Sequence, residues 1–146
     1  PEKYYGIVTA DADGQHLPDD MEKLLMKVPA DPMALVIGTR TIDKNIPWKS
    51  QMGNLITRKA FRLATGVEVS DTQTGMRAFS ARLLGFMSNI QGERYEYEMN
   101  VLVTCAKARV PIIEVLIQTI YHDKENSCSH FRKIRDSVRI CRQLLN

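Results

Sequence analysis

Residues 9–25 read TADADGQHLPDDMEKLL. The run that leads into them, YYGIVTA at 4–10, is aromatic, β-branched or small. Such a run predicts a short strand buried on both faces. Pro18, followed by Asp19, Asp20 and Glu22 and then by Leu24, Leu25 and Val28, predicts a helix. Proline suits the first turn, and acids suit the positive end of the helix dipole. The stretch is therefore strand, tight loop, helix. That order sets Asp11, Asp13 and Gln15 beyond the carboxyl end of a parallel strand, where open α/β sheets bind ligands. Alternate side chains of an extended segment share a face, so the three are expected to converge. Three oxygen-bearing side chains suit a hard divalent ion, Mg²⁺ or Mn²⁺, with a substrate diphosphate able to complete its shell. Asp-X-Asp also suits a loop or a helix start, where aspartates bond nearby amides. The stretch alone leaves both readings open.

The bulk properties narrow the field. At 146 residues the chain is long enough for one domain with its own core. Its 44% hydrophobic and 25% charged residues are those of an ordinary soluble globular protein. A net charge of +3 is too mild for a dedicated nucleic-acid binder, so no nucleic-acid partner is expected. Cys105, Cys128 and Cys141 are odd in number and form no CxxC pair, which favours neither zinc nor a disulfide framework and fits a reducing, cytoplasmic setting. The sequence holds no apolar run of about eighteen residues and no signal-peptide pattern. It opens on PEKYYGIV, almost directly into a strand, and closes on RICRQLLN inside a helical pattern. A piece of a longer protein is the expectation.

Along the rest of the chain, ALVIGTR predicts a second strand ending at Gly38, Thr39 and Arg40. TIDKNIPWKS reads as a loop. GNLITRKAFRLATG is helical, with Leu55, Ile56, Ala60 and Leu63 marking one face and Gly66 as its stop. Asp71 to Gly75 is expected to be irregular, with a short strand at Met76–Phe79 and a helix begun by Ser80. YEYEMNVLVTCAKARV predicts a longer helix, with Cys105 as a small core residue. PIIEVLIQTIY predicts a strand headed by Pro111, and FRKIRDSVRICRQLL a closing amphipathic helix. The order β-α-β-α-β-α-α-β-α defines an α/β domain with a mixed sheet.

Four loops concentrate polar groups: DADGQH, GTR, DTQTG and NSCSHFRKIRDS. Clustered at one rim, they offer carboxylates for a metal, guanidinium groups for phosphates, hydroxyls and an imidazole. A metal beside arginines is the chemistry of a diphosphate leaving group. TADADGQHLPDDMEKLL, VIGTR, SDTQTGMRAFS, YEYEMNVLVTCAKA and SHFRKIRDSVRI, in this order, resemble the inverting family 2 glycosyltransferases. The nearest branch is that of the polyprenyl- and dolichyl-phosphate sugar synthases.

The resemblance implies a partial Asp-X-Asp, GT-A type nucleotide-diphospho-sugar transferase fold with a mainly parallel mixed sheet flanked by helices. Residues 1–146 would be the carboxyl-terminal, metal-motif and acceptor-side part of the catalytic domain, lacking the amino-terminal half that holds the nucleotide. It implies Asp11, Asp13 and Gln15 as ligands of the Mg²⁺ or Mn²⁺ ion that holds the nucleotide-sugar. Arg40 and Lys49 would meet the acceptor phosphate, the lysine as a point charge without a bidentate grip. Asp71 would stand near the reacting centre, and Ser129, His130 and Arg132 in a loop that closes over the diphosphate, with Arg132 assisting the leaving group. Read as residues alone, Asp71 equally suits a turn, His130 a surface loop, and Arg40 an ordinary surface position.

The implied reaction is a single displacement with inversion, in which an undecaprenyl or dolichyl phosphate attacks a nucleotide-activated sugar in cell-envelope or lipid-linked glycan synthesis. The rivals are a family 2 enzyme using a hydroxyl acceptor and a non-catalytic fragment. The Gln-X-X-Arg-Trp signature of processive members is absent, Trp48 standing in another context. Arg132, Arg135, Arg139 and Arg142 line one side of the closing helix, and Ile134, Val138, Cys141 and Leu145 another. That pattern suits a helix lying at a membrane surface, here the cytoplasmic face, with the isolated piece itself soluble. It also suits a helix packed on its own domain. A homo-oligomer is compatible with the same reading.

Overall fold

Four strands and four α-helices form the computed structural model, which describes residues 5–12, 14–40, 48–92 and 95–118. They are β1 (Gly6–Thr9), α1 (Pro18–Lys27), β2 (Leu35–Arg40), α2 (Trp48–Thr65), β3 (Arg77–Ser80), α3 (Leu84–Ser88), α4 (Tyr95–Lys107) and β4 (Ile112–Ile117). One-turn 3₁₀ segments at Val28–Ala30 and Ala81–Leu83 extend α1 and precede α3. The element order through β4 is the one expected. The closing amphipathic helix and its arginines lie outside the described residues.

The sheet runs β1-β3-β2-β4. β3 pairs antiparallel with both β1 and β2, and β2 pairs parallel with β4, Leu35 opposite Ile112 and Arg40 opposite Ile117. The α/β class with a mixed sheet flanked by helices is thus present. Three strands share one direction, and β3 alone opposes them. This corrects the reading of β1, whose ladder is antiparallel. Its residues are also only partly buried, because it borders the described sheet and has one neighbour there.

The two faces of the sheet bury separate cores. Leu35, Ile37 and Phe79 pack with Phe61 of α2, Leu83 and Met87 around α3, and Met99, Leu102 and Cys105 of α4. Val36, Ala78 and Ile117 pack with Leu24 of α1, Val28 and Met76. Alternation along β2 sends Leu35 and Ile37 to one face and Val36 to the other, which is why the strand reads as one continuous apolar run.

Local signals act as their chemistry dictates, with exceptions. Pro18 opens α1, and Asp19 and Asp20 fill its first turn. Gly66, at φ 73°, ends α2 with its N–H on the Arg62 carbonyl. Ser80 is not a side-chain cap: its hydroxyl donates to the Pro32 carbonyl. The expected apolar face of α2 is also wrong. Leu55, Ile56 and Leu63 are 48%, 41% and 79% exposed, and the buried face is Gly53, Thr57, Ala60 and Phe61. Small residues there let the helix approach the loop before β3, where Thr57 Oγ1 lies 2.7 Å from Thr72 Oγ1.

Candidate functional site at the carboxyl rim of the sheet

Because β1, β2 and β4 run in one direction, Thr9, Arg40 and Ile117 end on the same rim. β3 runs against them and starts there, at Arg77. The irregular segment 71–76 therefore lies on this rim as well. Three of the four polar loops singled out in the sequence meet here: the one after β1, the end of β2 and the one before β3. The fourth, with Ser129, His130 and Arg132, lies outside the described residues, as does Asp13.

Arg40 and Asp71 form the centre of the arrangement. Arg40 Nε donates to Asp71 Oδ2 at 2.6 Å and Nη2 to Oδ1 at 3.0 Å, a bidentate fork. The Asp71 side chain is 3% exposed and that of Arg40 21%. Gln73 N–H donates to Asp71 Oδ1 at 3.1 Å, an Asx turn. The two alternatives for Asp71, turn residue and site carboxylate, thus coexist in one side chain. Two of the five guanidinium donors of Arg40 go to Asp71.

The carboxylate of Asp11 sits against the same loop. A Cβ on Gly75 would overlap Asp11 Oδ1, Oδ2 and Cγ. Only glycine lets the carboxylate lie there. Thr9 Oγ1 reaches the Gly75 carbonyl at 3.5 Å. Asp11 itself is half exposed, with His16 Nε2 3.6 Å from its Oδ2. The His16 side chain is 7% exposed, and its Nδ1 has no hydrogen-bond partner among the described residues. Alternation is not what assembles this loop. Gly14 has φ 77°, a left-handed turn that ends any extended path between Asp11 and Gln15. Among the described residues no three His, Cys, Asp or Glu side chains converge to hold an ion by themselves. The oxygens of Asp11 and Gln15 remain suited in kind to a hard ion whose other ligands are a diphosphate and water. Lys49 is the second residue of α2, and its side chain is not among those described.

Several groups that sequence reasoning passed over hold the rim in place. Asn54 Nδ2 donates to the Ser70 carbonyl at 3.1 Å, and Thr72 N–H donates to Asn54 Oδ1 at 3.2 Å. Glu114 on β4 accepts from Ser70 N–H at 2.6 Å and from Thr39 Oγ1 at 3.2 Å. Asp20, fully buried, accepts Gln118 N–H at 2.8 Å and Lys23 Nζ at 2.6 Å, tying the end of β4 to α1. Arg77, 5% exposed, donates to the Thr74 carbonyl at 3.2 Å and to the Glu98 carbonyl at 2.7 Å. Burial holds its guanidinium below the ordinary arginine value, with Glu98 opposing most strongly. The signal available for Glu114 was a lone carboxylate in the apolar run IIEVLI, and for Asn54 its place one residue from the buried Gly53.

Comparison with known proteins places these loops in context. The chain is 39% identical over 119 residues to the UDP-N-acetylglucosamine–dolichyl-phosphate N-acetylglucosaminyltransferase of Methanococcus voltae, covering 78% of this chain and 47% of that protein. It is 27% identical over 120 residues to the polyprenol monophosphomannose synthase of Mycolicibacterium smegmatis, covering 78% of this chain and 45% of that one. An uncharacterised protein of Methanocaldococcus jannaschii is 35% identical over 120 residues, 79% of this chain and 49% of its own. The chain thus spans about half the length of these curated relatives. No protein-family model matches it, and no solved structure does. These two functionally named relatives are sugar transferases by name, and they bear out the resemblance drawn from the motifs.

Proposed function

We infer that this chain, a homologue of the sugar transferases that act on polyprenyl phosphates, carries the acceptor side and metal motif of an enzyme that moves a sugar from a nucleotide-sugar to a polyprenyl phosphate. One observation supports this above the rest. Arg40 and Asp71 form a fixed bidentate pair on the rim where the Asp11 carboxylate abuts the same loop at Gly75. A phosphate recognition group and a candidate diphosphate anchor are thereby held side by side.

The roles follow from the chemistry of each group. Arg40 supplies charge to the acceptor phosphate, and Asp71 fixes the plane of its guanidinium. Asp71 is a positioning residue in this scheme. Its oxygens already accept from Arg40 and from Gln73 N–H, and a phosphate nucleophile is anionic near neutral pH without help from a strong base. Asp11, Asp13 and Gln15 would hold Mg²⁺ or Mn²⁺, which when bound supplies positive charge to the leaving diphosphate. Attack on the face opposite that group inverts the anomeric centre. Ser129, His130 and Arg132 are assigned to the diphosphate, and Lys49 to the acceptor. The protein works at a membrane surface, where the phosphate of such a lipid resides. Among the described residues no helix is long and apolar enough to cross a membrane.

The test uses the purified protein in detergent with labelled UDP-N-acetylglucosamine or GDP-mannose, a polyprenyl phosphate, and either Mn²⁺ or a chelator. Metal-dependent label in the lipid extract is expected. Arg40→Ala should raise the KM for the lipid phosphate by about tenfold or more while leaving that for the nucleotide-sugar nearly unchanged. Label transferred only to hydroxyl acceptors would overturn the reading in favour of a polysaccharide- or protein-directed enzyme.

A further inference from the structure

We propose that Glu114 is the positioning residue of the acceptor pair, setting the geometry of Arg40 and Asp71 through the residue next to each. The proposal rests on the acceptor reading above and adds to it a residue and a device.

The device follows from topology. Arg40 ends a strand, and Asp71 lies in an irregular loop before another. The β2–β3 ladder ends at Ile37–Arg77, one further bond runs from Gly38 N–H to the Met76 carbonyl at 2.8 Å, and none of it reaches Asp71. Side chains hold the loop instead: Asn54, Thr57 and Arg58 tie it to α2, and Glu114 ties it to the strand. Glu114 stands opposite Ile37 in the parallel β2–β4 register, so Thr39, two residues on, projects from the same face. Its Oε2 accepts from Thr39 Oγ1 at 3.2 Å, and its Oε1 accepts from Ser70 N–H at 2.6 Å. Thr39 immediately precedes Arg40, and Ser70 immediately precedes Asp71. One carboxylate therefore grips the neighbour of each member of the pair.

The rival account is that an acidic residue on a bordering strand only discourages edge-to-edge association. Glu114 is itself exposed, but that account gives its carboxylate no partners. Here both oxygens are engaged, one of them in a short charge-assisted bond to a main-chain N–H. The Ser70 peptide is held on its other side too, its carbonyl accepting from Asn54 Nδ2 at 3.1 Å. Ser70 is exposed while Val69 and Asp71 on either side are 2% exposed, so Ser70 is where water would enter the loop. Without Glu114, Thr39 stays in its strand through the β2–β4 ladder. The Ser70 N–H instead turns to water, and Asp71 loses its fixed distance from Arg40. The effect falls on pair geometry while both cores stay packed.

Two measurements test this on the whole protein. In steady-state transfer, Glu114→Ala should raise the KM for polyprenyl phosphate about tenfold, since small misplacement of a binding group is costly, with the nucleotide-sugar KM shifting by less than about twofold. Glu114→Gln keeps an acceptor for Ser70 N–H and should recover most of the loss. Amide hydrogen exchange gives the second readout and needs no substrate. Exchange at Ser70 and Thr72 should quicken in Glu114→Ala, with Ile37 and Ala78 unchanged. Unaltered exchange at Ser70 overturns the proposal, as does a Glu114→Gln variant no better than Glu114→Ala, or an equal rise in both KM values. If the unmutated protein transfers nothing to polyprenyl phosphate, the acceptor reading fails, and exchange alone decides whether Glu114 fixes the loop.

Discussion

Breaking the Arg40–Asp71 pair should have unequal consequences depending on which partner is removed. Asp71 is the drier member, its side chain 3% exposed against 21% for Arg40. Arg40→Ala leaves a buried carboxylate with the Gln73 N–H as its one remaining partner among the described residues. Removing one partner of a buried pair costs about 3–5 kcal/mol, so about 4 kcal/mol is expected for this change. Asp71→Ala leaves a guanidinium that solvent already reaches, and about 2–3 kcal/mol is expected, in line with losing two charge-assisted bonds offset by rehydration. The double variant should cost little more than Arg40→Ala alone, which gives a coupling energy of about 2 kcal/mol. Urea unfolding of the four proteins measures all three quantities, provided the slope with denaturant stays constant. A coupling energy below about 0.5 kcal/mol, or a larger loss for Asp71→Ala than for Arg40→Ala, would refute the claim that this is a preformed, partly buried fork.

Two further outcomes are expected. Gly75→Ala places a methyl group where the Asp11 carboxylate lies; titration calorimetry with Mn²⁺ should show affinity weakened about tenfold or more, and unchanged affinity would separate Asp11 from the metal. Burial pushes the Cys105 thiol up to about 11 from an ordinary value of 9.0, against the pull of Arg77. The folded thiol keeps its proton where the unfolded one releases it, so this contribution is intact below about pH 9 and is lost as pH rises toward 11, at most about 2–3 kcal/mol. Stability of the protein minus that of Cys105→Ala, followed from pH 8 to 11, should fall with that sign, and a flat difference would contradict it.

The elements were legible in the sequence because each is specified locally. Pro18 with Asp19 and Asp20 starts α1, and Gly66 stops α2, through chemistry confined to one turn. The direction of β3 was not legible, because nothing within RAFS distinguishes the two ways a strand can pair. The buried face of α2 was misread for a related reason. Apolar periodicity assumes that a helix packs on hydrocarbon, but α2 packs much of its inner face on a polar loop through Gly53 and Thr57. At the site, Arg40 and Asp71 were both picked out, but their mutual bond was not. That bond depends on a strand order in which residues distant in sequence become neighbours. Glu114 escaped notice because its partners are a main-chain N–H and a threonine hydroxyl, groups that carry no signature.

The central place of β3 governs when this rim can exist. β1 and β2 do not pair with each other; both wait for β3, whose Ser80 lies opposite Gly6 and whose Arg77 lies opposite Ile37. During synthesis β1 and β2 emerge before β3, with Ile7, Leu35 and Ile37 lacking the strand they pair with or pack beside. Pairings so distant along the chain close slowly, because the intervening segment must lose its freedom before any contact rewards it. Until residue 80 has left the ribosome, β1 and β2 lack the strand that joins them, and such unpaired apolar strands are what chaperones shield. The arrival of one four-residue strand then joins the two earlier strands and carries the 71–76 loop to the rim, and β4, with Glu114, completes sheet and site only afterwards.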